Sequence, residues 1–439
     1  MQARRLALFV MLITTAGAAG CSSGGFLSRF TLAPSPHEQY AESLRTANLH
    51  LSAMGADWLR AGDTALAQPL AVTLPFRESV YFPSDRPIAV AYRFELKRGR
   101  RFEVDVRPES PESGRLFVDM FESRGPETPP ARVASLSEGH ALMFDVPRQG
   151  VYLLRVQPEL LRSGRYTLIE RTLASLPFPV EGLTASAVQS EFGAEREQGR
   201  RRHEGIDIFA PRNTPVVAVV DGSAAPGTND LGGNVVWLRG GRGGRSYYYA
   251  HLQRWAIEGS TAVTAGQVVG YIGNSGNARG TAPHLHFGIY ERGAIDPLPF
   301  LAPDDAVPPP SGQADRVGEL VRITATRAPL RAGIARDAAA VTELNREWVA
   351  TALGAAGSRL RVLLPDGRSG YVDTAVVAAA VAPLRQRRVQ TVSPLRDRPA
   401  VEAPAITTIE EGSLVQVLGR FQTFELIRTG AGTEGWLVP

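Results

Sequence analysis

The sequence predicts a mainly β protein of several domains, with one helix near its N-terminus. Three observations carry that expectation. Its 439 residues suffice for about three compact units. Over residues 70–170, apolar and polar side chains alternate with a period of two, the mark of half-buried strands. Beyond residue 315 short motifs recur at a fixed offset, so one small β unit is present twice. With 44% hydrophobic and 21% charged residues, 44 Gly and 32 Pro, a wholly disordered, collagenous or disulfide-knotted chain is excluded. The net charge of +4 falls to +2 once residues 1–20, which hold Arg4 and Arg5 and no acid, are set aside. So small an excess gives no support to a nucleic-acid partner.

Arg4 and Arg5 precede an apolar run over residues 6–16, and Gly17, Ala18, Ala19 and Gly20 lead into Cys21. A basic start, a short apolar core and small residues at a cleavage point describe an export signal over residues 1–20. The run falls short of the roughly 18–20 residues that span a bilayer, and no later stretch approaches that length, so no transmembrane helix is expected. Cys21, the only cysteine, can form no disulfide within the chain. Ala18-Ala19-Gly20-Cys21 resembles the bacterial lipoprotein signal box, with Ala18 where that box usually has Leu. The resemblance implies acylation of Cys21 and attachment to a membrane through an N-terminal lipid. Ser22 next to it implies the outer membrane, which would place the chain in the cell envelope, facing the periplasm. Residues 21–34 then serve as a lipidated tether.

Ser35 and Glu38 form a capping-box pair with Pro36 at the first helical position. Tyr40, Leu44, Ala47, Leu51, Met54 and Trp58 follow at helical spacing, which predicts one amphipathic helix over residues 35–66, ended by Gly62. Residues 67–175 read as about eight short antiparallel strands, a β-sandwich with no candidate chemistry. Residues 303–315, rich in Pro, read as a stiff exposed linker. Past it, Pro329-Leu330-Arg331 returns as Pro394-Leu395-Arg396 and Gly370-Tyr371-Val372 as Gly435-Trp436-Leu437, each offset by 65 positions (329 to 394, 370 to 435). These motifs resemble bacterial Src-homology-3-like barrels of cell-wall enzymes, implying two small β-barrels over residues 316–380 and 381–439.

Four of the seven histidines, His203, His251, His284 and His286, lie within residues 203–286. On a strand, side chains two apart share a face, so His284 and His286 can address one site, and His203, Gly205 and Asp207 another stretch of it. Two histidines and one aspartate supply three ligands, which leaves the open position that catalytic zinc needs for water. His37, His50 and His140 read as ordinary structural histidines.

Flanking motifs add to this: Glu191-Phe192-Gly193, Ala210-Pro211, Tyr249-Ala250-His251-Leu252, and the Gly-rich run 270–276 before Pro283-His284. Together they resemble the lysostaphin and LytM-type zinc endopeptidases of bacterial cell walls, with a peptidase domain over residues 176–302. The resemblance implies one zinc per chain held by His203, Asp207 and His286, with His251 and His284 as the two catalytic histidines. Gly288 departs from the acidic residue common after His-x-His-Phe in that family. The implied function is hydrolysis of peptide bonds in peptidoglycan stems or cross-links, with peptidoglycan and other cell-wall enzymes as partners. The alternative is a non-catalytic peptidoglycan-binding regulator or activator of other wall hydrolases. Family members of that kind typically lack ligands or catalytic histidines, whereas all five residues are present here.

Overall fold

The computed structural model describes residues 32–439 apart from Pro126, Glu197 and Arg242; the expected export signal, Cys21 and most of the expected tether lie outside the described residues. The first helix, Pro36–Thr46, opens on the expected capping box: Ser35 Oγ accepts from the Glu38 N–H, and the Glu38 carboxylate accepts from the Ser35 N–H. The single helix expected over residues 35–66 is broken. Asn48 takes a left-handed φ of 58°, a short 3₁₀ turn Leu49–Leu51 follows, and Ser52 caps a second helix, Ala53–Ala67. A left-handed residue cannot continue a right-handed helix, so the stripe is divided: Leu44 and Trp58 are buried while Leu51 is 77% exposed. Nor does Gly62 end the helix. It is a close-approach point, where a Cβ would lie 2.7 Å from Gln157 Oε1.

The alternating segments form the expected sandwich. One sheet runs in the order Leu70–Ala71, Val90–Leu96, Gly150–Pro158, Leu116–Glu122, Ala131–Ser135. Facing it are Phe76–Phe82, Gly164–Ala174, Arg100–Pro108 and Ala141–Asp145. Phe94, Phe102, Leu154 and Leu168 fill the space between them, the inward half of the period-two pattern.

The second sheet does not stop at the sandwich. Phe76–Phe82 also pairs with Val349–Ala356, bringing Ser79 opposite Ala355 and Val80 opposite Gly354. The repeat is visible in the register: Arg331 pairs with Tyr371, and Arg396 with Trp436. Among the described residues neither C-terminal unit closes its hydrogen bonding into the ring of a barrel; the end strands Ala340–Asn345 and Val377–Ala379 do not pair, nor do Ala405–Ile409 and Arg385–Arg388. Leu418, Phe421 and Trp436 of the second unit pack in one core with Ile323 and Val349 of the first. Residues 303–315 are largely exposed but tied down: Asp305 accepts from the Thr172 N–H and hydroxyl at 2.7 and 2.8 Å, and Ser311 Oγ donates to the Gly357 carbonyl at 2.7 Å.

Between sandwich and repeats in the chain lies a further antiparallel sheet. Its consecutive strands are Val188–Ser190, Ile206–Phe209, His284–Tyr290, Ser246–Trp255, Gly233–Gly240, Gly222–Asn229 and Thr261–Val263. Ile206, Ile208, Leu285, Phe287, Ile289, Tyr247 and Tyr249 fill its core. The residues between them in sequence, Asp207, His284, His286, Tyr248 and Ala250, are therefore delivered to the opposite face.

Candidate metal centre and cleft

Pairing sets the centre of the site. Ile206–Phe209 runs antiparallel to His284–Tyr290 with Asp207 opposite His286 and Phe209 opposite His284, and Ala250 faces His286 from the other side. His203 arrives differently from the expected strand. The strand begins only at Ile206, and residues 203–205 are irregular. A Cβ at Gly205 would sit 2.8 Å from the His286 ring and 2.5 Å from the Phe287 carbonyl, so the backbone passes too close to carry a side chain. The short hairpin Glu195–Arg196 with Arg201–Arg202 returns His203 to the same place.

The result is a tight triangle. His203 Nε2 lies 2.9 Å from His286 Nδ1 and 3.1 Å from Asp207 Oδ1, and His286 Nδ1 is 3.2 Å from that oxygen. His203 Nδ1 faces the Glu191 carbonyl at 2.9 Å. A carbonyl only accepts, so Nδ1 carries the proton and Nε2 turns a lone pair toward a carboxylate oxygen. Acceptors converging in this way at a buried point call for a cation. Metal–ligand bonds of about 2.0–2.1 Å would set donor atoms roughly 3.3 Å apart, close to what is seen, so the donor set fits a zinc ion. Burial opposes ionisation of Asp207, but whenever the His203 and His286 rings take up a further proton in place of a cation, their hydrogen bonds and charge outweigh it and hold the carboxyl well below its usual range.

His251 and His284 stand beside the triangle, both buried, their rings 5.0 Å apart. Each is oriented by a carbonyl: His251 Nδ1 donates to Ser275 O and His284 Nδ1 to Ala282 O, both at 2.9 Å. Both Nε2 atoms are left for chemistry. His251 occupies a left-handed position, φ 62°, with its N–H bonded to the Gly232 carbonyl at 2.7 Å. Burial pushes its imidazolium down to about 4, and the neighbouring histidines add to the effect against the Ser275 hydrogen bond.

The structure adds residues that sequence reasoning missed. Arg196 Nη2 donates to Asp207 Oδ2 at 2.6 Å and to Ser190 Oγ at 2.7 Å, so only Oδ1 of that carboxylate faces the histidines. Nothing in the spacing pointed to Arg196, because a separate hairpin carries it. The cleft, about 850 Å³, extends past the triangle to Trp237, Tyr248 and Tyr290. Here a signal did exist: in His286-Phe287-Gly288-Ile289-Tyr290 the alternation puts Tyr290 on the face of His286.

The five expected residues thus meet in one cleft, and comparison with known proteins gives that stretch a family. Residues 201–297 match the model of Peptidase family M23. Over 106 residues, 23% of the chain, the sequence is 39% identical to glycyl-glycine endopeptidase ALE-1 of Staphylococcus capitis, covering 29% of that protein. It is 38% identical over 140 residues to an L-Ala--D-Glu endopeptidase of Bacillus subtilis (strain 168), 28% of this chain and 42% of that one. An uncharacterized metalloprotease of Haemophilus influenzae is 32% identical over 242 residues, 52% of this chain and 44% of the relative. The chain therefore spans less than half the length of each of these relatives. The triangle and both flanking histidines lie inside the M23 segment, while the sandwich, the C-terminal repeats and Arg196 lie outside it.

Proposed function

We propose that the chain is a zinc-dependent endopeptidase that hydrolyses peptide bonds in the stems or cross-links of peptidoglycan, one zinc per chain. The observation that carries this reading is the convergence of His203, Asp207 and His286 with two carbonyl-oriented histidines in one cleft. His203, Asp207 and His286 would hold the ion, which when bound supplies a Lewis acid for the scissile carbonyl and acidifies a water. His251, kept neutral by burial, takes the attacking water's proton on Nε2 and returns it to the leaving amine. His284 serves the developing oxyanion, donating from Nε2 when its ring carries both protons. In this reading Cys21 is acylated and holds the protein in the cell envelope as an outer-membrane lipoprotein facing the periplasm, and the two C-terminal units are Src-homology-3-like wall-binding repeats. Among the described residues no helix is long and apolar enough to cross a membrane.

Incubating the protein lacking residues 1–21 with intact sacculi, with and without a chelator, tests the reading by mass spectrometry of released products. Peptide-bond cleavage that the chelator stops is the expected result. Sacculi that bind the zinc-loaded protein yet release no fragments would instead favour a regulator.

A further inference from the structure

Gly288, the departure from the family pattern, opens a surface that the proposed reaction does not use. A side chain there would meet the Tyr290 ring at 2.9 Å and the Glu204 carbonyl at 3.2 Å. With hydrogen in that place, Tyr290 folds back along the sheet face beside Trp237, whose ring lies 5.4 Å from it and 4.5 Å from Tyr248. Tyr248 in turn meets His286 edge-on at 5.9 Å, so the three aromatic rings run without a break from the metal-site triangle. Trp237 is 37% exposed on this face. Polar groups rim the shelf: the exposed Glu204 stands beside the Tyr290 hydroxyl, and Asn229 donates to the Tyr248 hydroxyl at 3.0 Å.

We infer that Trp237, Tyr248 and Tyr290 form a subsite for a pyranose ring of the glycan strand, so that the enzyme prefers peptides still attached to sugar. The inference rests on the peptidase reading. Three features favour a sugar over more peptide. The shelf stands on three adjacent strands whose backbone groups are already paired with one another, so it offers no free edge to an extended peptide. What it offers is ring faces, whose negative quadrupole attracts the slightly positive C–H bonds on the flat side of a pyranose. The hydroxyl, amide and carboxylate groups at the rim suit the hydroxyls around such a ring.

The test compares a disaccharide-linked muropeptide with the same peptide freed of sugar. The zinc-loaded wild type should show at least a tenfold higher kcat/KM on the sugar-linked form, carried by KM. Trp237→Ala should bring that ratio close to one, and Trp237→Phe, which keeps an aromatic face, should restore most of it. A second readout needs no hydrolysis: saturation-transfer NMR of tetra-N-acetylglucosamine on the metal-free protein should show binding in the wild type and Trp237→Phe and lose it in Trp237→Ala. If the wild type cleaves neither substrate, the peptidase reading falls, and the NMR contrast alone decides the shelf. Equal kcat/KM on both substrates, no oligosaccharide binding, or equal losses on both substrates in Trp237→Ala would each overturn the inference.

Discussion

Asp207 divides its two oxygens between different tasks. Oδ1 faces His203 and His286, while Oδ2 is engaged by Arg196. A partner behind a ligand orients it, and losing such a partner typically lowers metal affinity by about 10–100-fold. Arg196→Ala is expected to weaken zinc binding by that much in a competition titration with a chromophoric chelator, whereas Asp207→Ala should purify without the metal. Undiminished affinity in Arg196→Ala would reduce the guanidinium to a mere counter-charge. In the proposed mechanism the two flanking histidines act on chemistry and not on the ion. His251→Ala and His284→Ala should therefore retain zinc by elemental analysis and lose about 10²–10⁴-fold in cleavage, the usual worth of a general acid–base group. The acid side of the pH profile follows from burial. An exposed imidazole is half protonated near pH 6.5, but His251 stays neutral down to about 4. Its base form persists as the pH falls below 6.5, and the same depressed value means that its contribution to stability is lost only as the pH falls through 6.5 toward 4. In an NMR pH titration of the metal-free protein the His251 ring should stay neutral well below pH 6.5; half-protonation near 6.5 would remove burial as what keeps this base neutral.

Among the secondary-structure elements, the junction between Phe76–Phe82 and Val349–Ala356 carries the most concentrated buried charge. Glu78 has no exposed surface, and its carboxylate accepts from Arg361 Nε at 3.0 Å, from the Tyr371 hydroxyl at 3.1 Å and from the Tyr92 hydroxyl. Gly354 makes room for it, since a Cβ there would sit 2.2 Å from Glu78 Oε1. Removing one partner of such a pair strands a charge, which is destabilising by about 3–5 kcal/mol. Arg361→Ala should show a loss of that size in denaturant unfolding, and a loss under 1 kcal/mol would mean that water reaches the site. Glu170 lies in the same region, fully buried, with neither carboxylate oxygen hydrogen-bonded. Burial first, and then the charge of Glu78, raises its carboxyl well above the ordinary value. A raised folded-state value means stability that is complete below the unfolded carboxyl range and declines as pH rises above it. Glu170→Gln should therefore melt higher than wild type at pH 8, with the gap closing toward pH 4.

For the whole molecule, sandwich and first repeat share a sheet, and first and second repeat share a core. Deleting residues 316–439 would remove Arg361 and Tyr371 from Glu78 as well as any wall-binding surface. The informative truncation carries Glu78→Gln as well, so that no charge is stranded. That protein should keep its zinc and its cleavage of a small soluble peptide while losing retention on sacculi, because in the proposed reading the repeats contribute effective concentration and no ligand or base. If the truncated, folded protein loses soluble-peptide cleavage too, the repeats belong to the active site.

The sequence alone determined the mainly β architecture and the 65-residue repeat from local periodicity and spacing, and spacing also paired His284 with His286 and His203 with Asp207; His251 joined them only through the resemblance of its flanking motif to a known family. The period-two code survives folding because alternate side chains on a strand must face opposite ways. His284 and His286 could be placed on one face from their spacing alone. The break at Asn48 was not legible, since apolar spacing is indifferent to one left-handed residue, and the approach of His203 through irregular backbone was hidden for a similar reason. Only the tertiary structure decided which atoms do what. The carbonyls of Glu191, Ser275 and Ala282 choose the ring nitrogen that each histidine presents, Arg196 claims one oxygen of Asp207, and the missing side chain at Gly288 lets Tyr290 lie beside Trp237. Glu191, Arg196, Ser275 and Trp237 reach the site from separate strands and loops, and a contact made across a sheet leaves no period in the sequence by which it could be read.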